Sequence, residues 1–215
     1  MNRRNLLRNG LLSSAVLFTL PAVAANACLP GHTPAQTSGP FYPVVPQLDT
    51  DADLVIVNGK TKIADGEIVI VEGTVTDQNC IAVEGALVEI WQACQSGRYN
   101  HPSDPNTAPL DPNFQYWGKA VTDKNGLYRF RTIIPGAYPA DTNWIRPPHI
   151  HFKVARLGYN ELITQMYFAG DKYNSADKIL QQLKKNDQEK VIVSFATVAE
   201  VPHKVGQFNI QIAKI

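Results

Sequence analysis

The sequence carries little charge, and neither sign is in excess. Charged residues make up 18% of its 215 positions, and the formal net charge is +1. No basic stripe runs along any segment, which argues against nucleic-acid binding driven by phosphate neutralisation. Long apolar runs are also missing. The longest, Gly10 to Ala25, is short for a bilayer and is interrupted by Pro21, so no stable membrane span is expected. Cysteine is scarce: Cys28, Cys80 and Cys94 allow one disulfide and one leftover thiol. There is no internal repeat and no low-complexity tract. With 44% hydrophobic residues, wholesale disorder is excluded and a core is within reach.

What the chain does have begins with its first 27 residues. They hold Arg3, Arg4 and Arg8, no acidic residue, an apolar stretch and the small-residue end Ala25-Asn26-Ala27. This reads as a removable export signal, with a twin-arginine-like start at Asn2-Arg3-Arg4-Asn5-Leu6-Leu7-Arg8. Its removal leaves residues 28–215 with a net charge of −2, and places the mature protein in the periplasm or outside the cell. Acylation of Cys28 as a lipoprotein is the lesser alternative. In an oxidising compartment a disulfide is expected to use Cys28 rather than to join Cys80 to Cys94. The intervening strand would hold those two about 20 Å apart, whereas a bridge needs Cα atoms within about 7 Å.

Residues 28–47, rich in Pro, Thr and Gly, read as an extended arm, and residues 48–215 as the folded domain. High β-branched density and alternation predict strands at Ile68–Thr76, Ala86–Trp91, Lys119–Thr122, Leu127–Thr132, His149–Ala155 and Glu161–Phe168. A half-buried strand is expected around Phe208, Ile210 and Ile212. Long loops fill 95–117 and 133–148, and one helix is predicted over Ser175–Asn186, with Ile179, Leu180 and Leu183 on one face. The fold class is mainly β: an antiparallel sandwich with long loops at one end and one short helix.

The sharpest chemical feature is His149-Ile150-His151. In a strand both imidazoles point the same way, with Cα atoms roughly 6.6–7 Å apart, within reach of one metal ion. Arg146-Pro147-Pro148 fixes the entry to that strand. Further ligands are open at this point. Zinc would want cysteine, histidine or a carboxylate, and an Fe(II) facial triad would want a carboxylate, yet none stands near the pair in sequence. The long loops offer Tyr99 and Tyr138 instead. Two tyrosines with two histidines would form a hard set suited to Fe(III), whose charge would ionise both phenols.

Several ordered segments carry a resemblance. They include Thr33-Pro34-Ala35-Gln36-Thr37-Ser38-Gly39-Pro40-Phe41-Tyr42-Pro43, Gly85–Ala93, Gly97-Arg98-Tyr99 and Asp111-Pro112-Asn113-Phe114. Thr122–Thr132, Pro135-Gly136-Ala137-Tyr138-Pro139, Arg146–Phe152 and Leu162–Phe168 continue the series. In order and spacing these segments resemble the intradiol ring-cleavage dioxygenases, in particular the protocatechuate 3,4-dioxygenase β-subunit type, in an exported form. The resemblance implies a prealbumin-like sandwich and one non-haem Fe(III) per chain, held by Tyr99, Tyr138, His149 and His151. It implies cleavage of a catechol-type substrate by O2 to a cis,cis-muconate-type diacid. Arg146 would steady charge on the ring, Gln165 would stand over the pocket, and Pro40 and Tyr42 would line it. Tyr138 would be the ligand that departs when substrate binds, with Gly136-Ala137 giving its approach backbone freedom.

Ala140, where the family commonly has an aromatic residue, leaves the ring substituent open. The family pair is normally two subunits, so a homo-oligomer is compatible with this single ligand-bearing chain. The rival readings are a non-catalytic prealbumin-like binding module and a metalloenzyme of other chemistry.

Overall fold

The computed structural model describes residues 31–44, 47 and 49–215. The first strands in the chain are β1 (Ile68–Thr76), β2 (Leu87–Trp91), β3 (Trp117–Val121) and β4 (Leu127–Ile133). Then come β5 (Tyr138–Asp141), β6 (Trp144–Arg146), β7 (His149–Ala155) and β8 (Leu162–Phe168). A seven-residue helix α1 (Lys185–Val191) leads to β9 (Ile192–Val193), β10 (Phe195–Ala196), β11 (Lys204–Gln207) and β12 (Ile210–Gln211).

Two sheets face each other. One runs β3-β2-β7-β8-β9; the other runs β10-β11-β1-β12, with β4 also on β1. The long pairings are antiparallel, β1 with β4, β2 with β3 and β7, and β7 with β8. The chain's late strands join in parallel: β11 and β12 on β1, and β9 on β8. Strand alternation sorts the side chains between the two faces. Val88, Ile90, Ile150, Phe152 and Val154 are fully buried and point into the core. There Phe152 meets Phe208 edge-on at 4.9 Å between ring centroids and Tyr128 at 6.1 Å. Burying each such side chain contributes about 1.5–3 kcal/mol, so this interior drives the sandwich together.

The alternate positions of β2, β3, β7 and β8 lie on the opposite, outer face, and the cross-strand register groups them into rows. Trp117, Trp91, His151 and Gln165 form one row, and Lys119, Glu89, Lys153 and Ile163 the next. Left bare, this face would expose two tryptophans. Residues 39–42 cover it, Tyr42 meeting Trp91 and Trp117 edge-on and Gly39 packing on His151, while Gln36 N anchors the segment to β8 through Ile163 O at 2.8 Å.

Two local expectations are corrected. Residues 133–148 are not all loop, because β5 and β6 pair there as a separate hairpin. Over Ser175–Asn186 there is no continuous helix. Short 3₁₀ turns at Asn174–Ala176 and Leu180–Gln182 flank an extended Asp177, and the helix begins later, at Lys185. The cause is the Asp177 side chain, whose Oδ1 accepts the backbone N–H of Ile179 at 3.2 Å and of Leu180 at 2.7 Å. It thereby offers that backbone an alternative to helix.

Cys80 is disulfide-bonded and Cys94 is a buried free thiol, so these two are not joined to each other. Cys28 and the expected export signal lie outside the described residues. Among the described residues no helix is long and apolar enough to cross a membrane.

Candidate metal centre

β7 brings His149 and His151 to the outer face, with ring centroids 4.9 Å apart. His149 Nδ1 lies 2.6 Å from Pro147 O. A carbonyl only accepts, so Nδ1 carries the proton and Nε2 presents its lone pair. That Nε2 stands 3.3 Å from the Tyr99 hydroxyl. His151 lies flat on Trp91, 4.9 Å between centroids at 6°, and its Nδ1 is buried with no partner.

Tyr99 arrives from the long loop after β2, and Tyr138 from the base of the β5–β6 hairpin, where it pairs with Arg146. The two phenol rings meet edge-on at 5.6 Å, and Tyr138 is 5.7 Å from His149. Backbone contact sets this convergence. Cys94 O accepts both Gly97 N at 2.9 Å and Gly136 N at 3.0 Å, tying the two tyrosine loops to one carbonyl. A Cβ at Gly136 would stand 2.2 Å from Gln95 O and 2.5 Å from Gly97 N. Gly136 is therefore a wedge point between the loops rather than a source of backbone freedom for Tyr138.

All four side chains are buried. Burial, with the neighbouring Tyr138, pushes the Tyr99 phenol well above its usual range, and burial also raises Tyr138, where nearby Arg146 partly opposes it. Burial and the Arg146 charge hold His149 well below the ordinary imidazole value and His151 at about 3. Two neutral imidazoles and two protonated phenols thus share one buried pocket. A highly charged cation among them would reverse the preference of the phenols. The donor set therefore fits a hard metal ion. Among the described residues no three His, Cys, Asp or Glu side chains gather into a group able to hold a metal, so the histidine pair has the tyrosines for company.

Arg146 is buried beside this cluster, bonded through Nε to Asp177 Oδ2 at 2.8 Å and through Nη2 to Gln165 Oε1 at 2.7 Å. Gln165 turns its amide nitrogen to Thr37 O at 2.9 Å. On the arm, Pro40 is exposed, and the Tyr42 hydroxyl donates to Glu89 at 2.8 Å while its ring meets Trp91 and Trp117. The arm ring nearest the tyrosines is Phe41, 4.9 Å from Tyr99 and 6.4 Å from Tyr138. Gly39 packs on His151, where a Cβ would stand 3.3 Å from Cε1.

Sequence reasoning missed Phe41, Trp91 and Asp177. Trp91 and His151 sit side by side only once the β2–β7 register is known. For Asp177 the available signal was an Asp with apolar residues at 179 and 180, a pattern that suits side-chain capping as well as helix.

Residues 37–213 match the dioxygenase family. The chain is 43% identical over 150 residues to the protocatechuate 3,4-dioxygenase beta chain of Burkholderia cepacia, covering 67% of this chain and 64% of that one. It therefore spans just under two thirds of that relative's length. The dioxygenase domain of a dioxygenase–carbohydrate-binding fusion from Streptomyces sp. SirexAA-E superposes with a TM-score of 0.64 at 26% identity, covering 86% of this chain and 100% of that one. The 3-chlorocatechol 1,2-dioxygenase of Rhodococcus opacus 1CP shares the fold, with a TM-score of 0.67 at 24% identity over 86% and 73% of the two chains.

Proposed function

The chain belongs to the intradiol dioxygenase family, and on that premise we propose that it cleaves a catechol-type aromatic with O2, between the two hydroxylated carbons, to a cis,cis-muconate-type diacid. Tyr99, Tyr138, His149 and His151 hold one non-haem Fe(III). One observation carries this reading: a tyrosine from the loop after β2, a tyrosine from the start of β5 and two histidines from β7 gather in a single buried cluster.

Bound iron would supply the redox and Lewis-acid chemistry that lets a catechol react with O2. The chain's residues bind, orient and manage charge. A catechol binding as a dianion brings two negative charges into a low-dielectric pocket and must release two protons. With its phenol ionised by the metal, Tyr138 Oη would accept one of them and solvent hydroxide the other, since Tyr138 stands on a two-stranded hairpin outside the main sheets and beside Arg146. Tyr99 stays in place, its loop secured by the bond from its backbone N–H to Asp104 Oδ2 at 2.6 Å. Arg146 faces the developing negative charge, Gln165 orients Arg146, and Phe41 and the arm shield the pocket from water. The chain acts after export, with residues 1–27 removed, and the arm serves its own chain's site.

The test is turnover of a panel of catechols by iron-loaded protein under air, with products identified by mass and NMR. Muconate-type diacids support the proposal. Ring-opened semialdehydes, or no consumption of any catechol, refute it.

A further inference from the structure

Behind Tyr138 runs a buried polar chain that begins outside the sheets. The Arg146 and Asp177 side chains are 4% and 0% exposed and are joined Nε to Oδ2 at 2.8 Å. The same Oδ2 accepts the Trp144 indole N–H at 3.3 Å, and Oδ1 accepts the two backbone N–H groups of Ile179 and Leu180. Four donors on one carboxylate leave it no freedom to rotate. The guanidinium, gripped at Nε, extends Nη2 to Gln165 Oε1 at 2.7 Å and to the Tyr167 hydroxyl at 3.4 Å, and Arg146 pairs across the hairpin with Tyr138. Gln165 and Tyr167 in turn meet the arm through Thr37 O and Gln36 Nε2.

A fully buried ion pair is an expensive way to fill a core, since apolar side chains of similar volume usually serve stability as well or better. The chain also gives up helix at Asp177 to make this one. The gain lies at the other end of the guanidinium, which reaches Gln165 and Tyr167 next to the strand that carries Tyr138.

We propose that Asp177 is a positioning residue for the reaction. It fixes the Nη end of Arg146 against Gln165, beside Tyr138 on the paired strand, and it offsets the guanidinium charge there. This rests on the proposed iron-dependent activity.

The experiment is a double-mutant cycle of Asp177→Asn and Arg146→Gln in the iron-loaded full-length protein, with Asp177→Glu as a third variant and melting curves to verify folding. Four quantities are read: iron per chain, the energy of the tyrosinate-to-iron absorption band in the resting protein, and kcat and KM for catechol. Asp177→Asn is expected to retain iron and to shift the band to higher energy, because an uncompensated cation beside Tyr138 stabilises the phenolate donor. It should lower kcat by roughly 10²-fold, the cost of about 1 Å of misplacement. Added to Arg146→Gln, it should change kcat by less than about twofold, since Asp177 acts through a group already removed. Asp177→Glu retains the charge but moves it by one methylene, so the band should stay while kcat falls.

An unmoved band with wild-type kcat in Asp177→Asn overturns the proposal, as does wild-type kcat in Asp177→Glu. A full additional loss in the Arg146→Gln background also overturns it, because the effect would then bypass Arg146. A wild-type protein without iron or turnover would count against the proposed function instead.

Discussion

Replacing Gly136 with alanine adds one methyl group where the two tyrosine loops touch. The backbone there has no left-handed φ, so the cost is steric alone. The new Cβ would lie 2.2 Å from Gln95 O, 2.5 Å from Gly97 N and 3.0 Å from Gln95 C, all main-chain atoms with no flexible end to swing aside. Moving from 2.2 Å to ordinary contact at 3.4 Å requires about 1.2 Å of separation. That separation breaks or stretches the bonds of Gly97 N and Gly136 N to Cys94 O. Overpacking of this kind costs about 1–3 kcal/mol, which for a chain of this size lowers Tm by roughly 2–12 °C. The functional effect should be larger than the thermal one, because Tyr138 lies two residues on and a shift near 1 Å costs about 10²-fold in rate. Iron content, visible absorption, Tm and kcat/KM should be measured beside Gly170→Ala as a control. Gly170 has φ +80° but nothing within 4 Å, so only backbone strain of about 1 kcal/mol is expected there. If Gly136→Ala bound iron fully, with an unchanged spectrum and activity, the claim that backbone contact between the loops sets the tyrosine geometry would be wrong.

Three other outcomes are expected. Tyr42→Phe removes the donor to buried Glu89 and should cost about 1 kcal/mol while exposing residues 33–44 to faster limited proteolysis; wild-type cleavage rates would show that the hydroxyl does not hold the arm. With an unreactive catechol analogue under anaerobic conditions, Tyr138→Phe should retain tyrosinate absorption and Tyr99→Phe should lose or shift it; the opposite pattern would exchange their roles. Deleting residues 1–27 and expressing the protein in cytoplasm should still give iron-loaded protein, since the oxygen and nitrogen ligands need no oxidising compartment; correctly folded apo protein despite adequate iron would refute this.

The fold was legible wherever a strand was long and its residues β-branched. β1 and β7 fall at the expected residues, because alternation over seven to nine positions leaves no other periodicity. The β5–β6 hairpin escaped notice because Tyr138–Asp141 and Trp144–Arg146 are too short to alternate and include Pro139. The two-residue strands β9, β10 and β12 exist through pairing with distant partners, for which local sequence carries no signal beyond the Phe208–Ile212 alternation. At the site, His149-x-His151 followed from strand period alone. Tyr99 and Tyr138 stood out as loop tyrosines, and family resemblance supplied their proposed role. Asp177 was misread because its side chain overrides the helical pattern around it in favour of Arg146 and two backbone amides.

The most direct test of the metal centre is iron analysis together with the visible spectrum of the purified protein, compared with Tyr99→Phe/Tyr138→Phe. One iron per chain and a broad tyrosinate-to-Fe(III) band that colours the protein red-brown, absent from the double variant, is the predicted result. A colourless protein holding zinc or no metal after adequate iron supply, or a visible band that survives loss of both tyrosines, would contradict it.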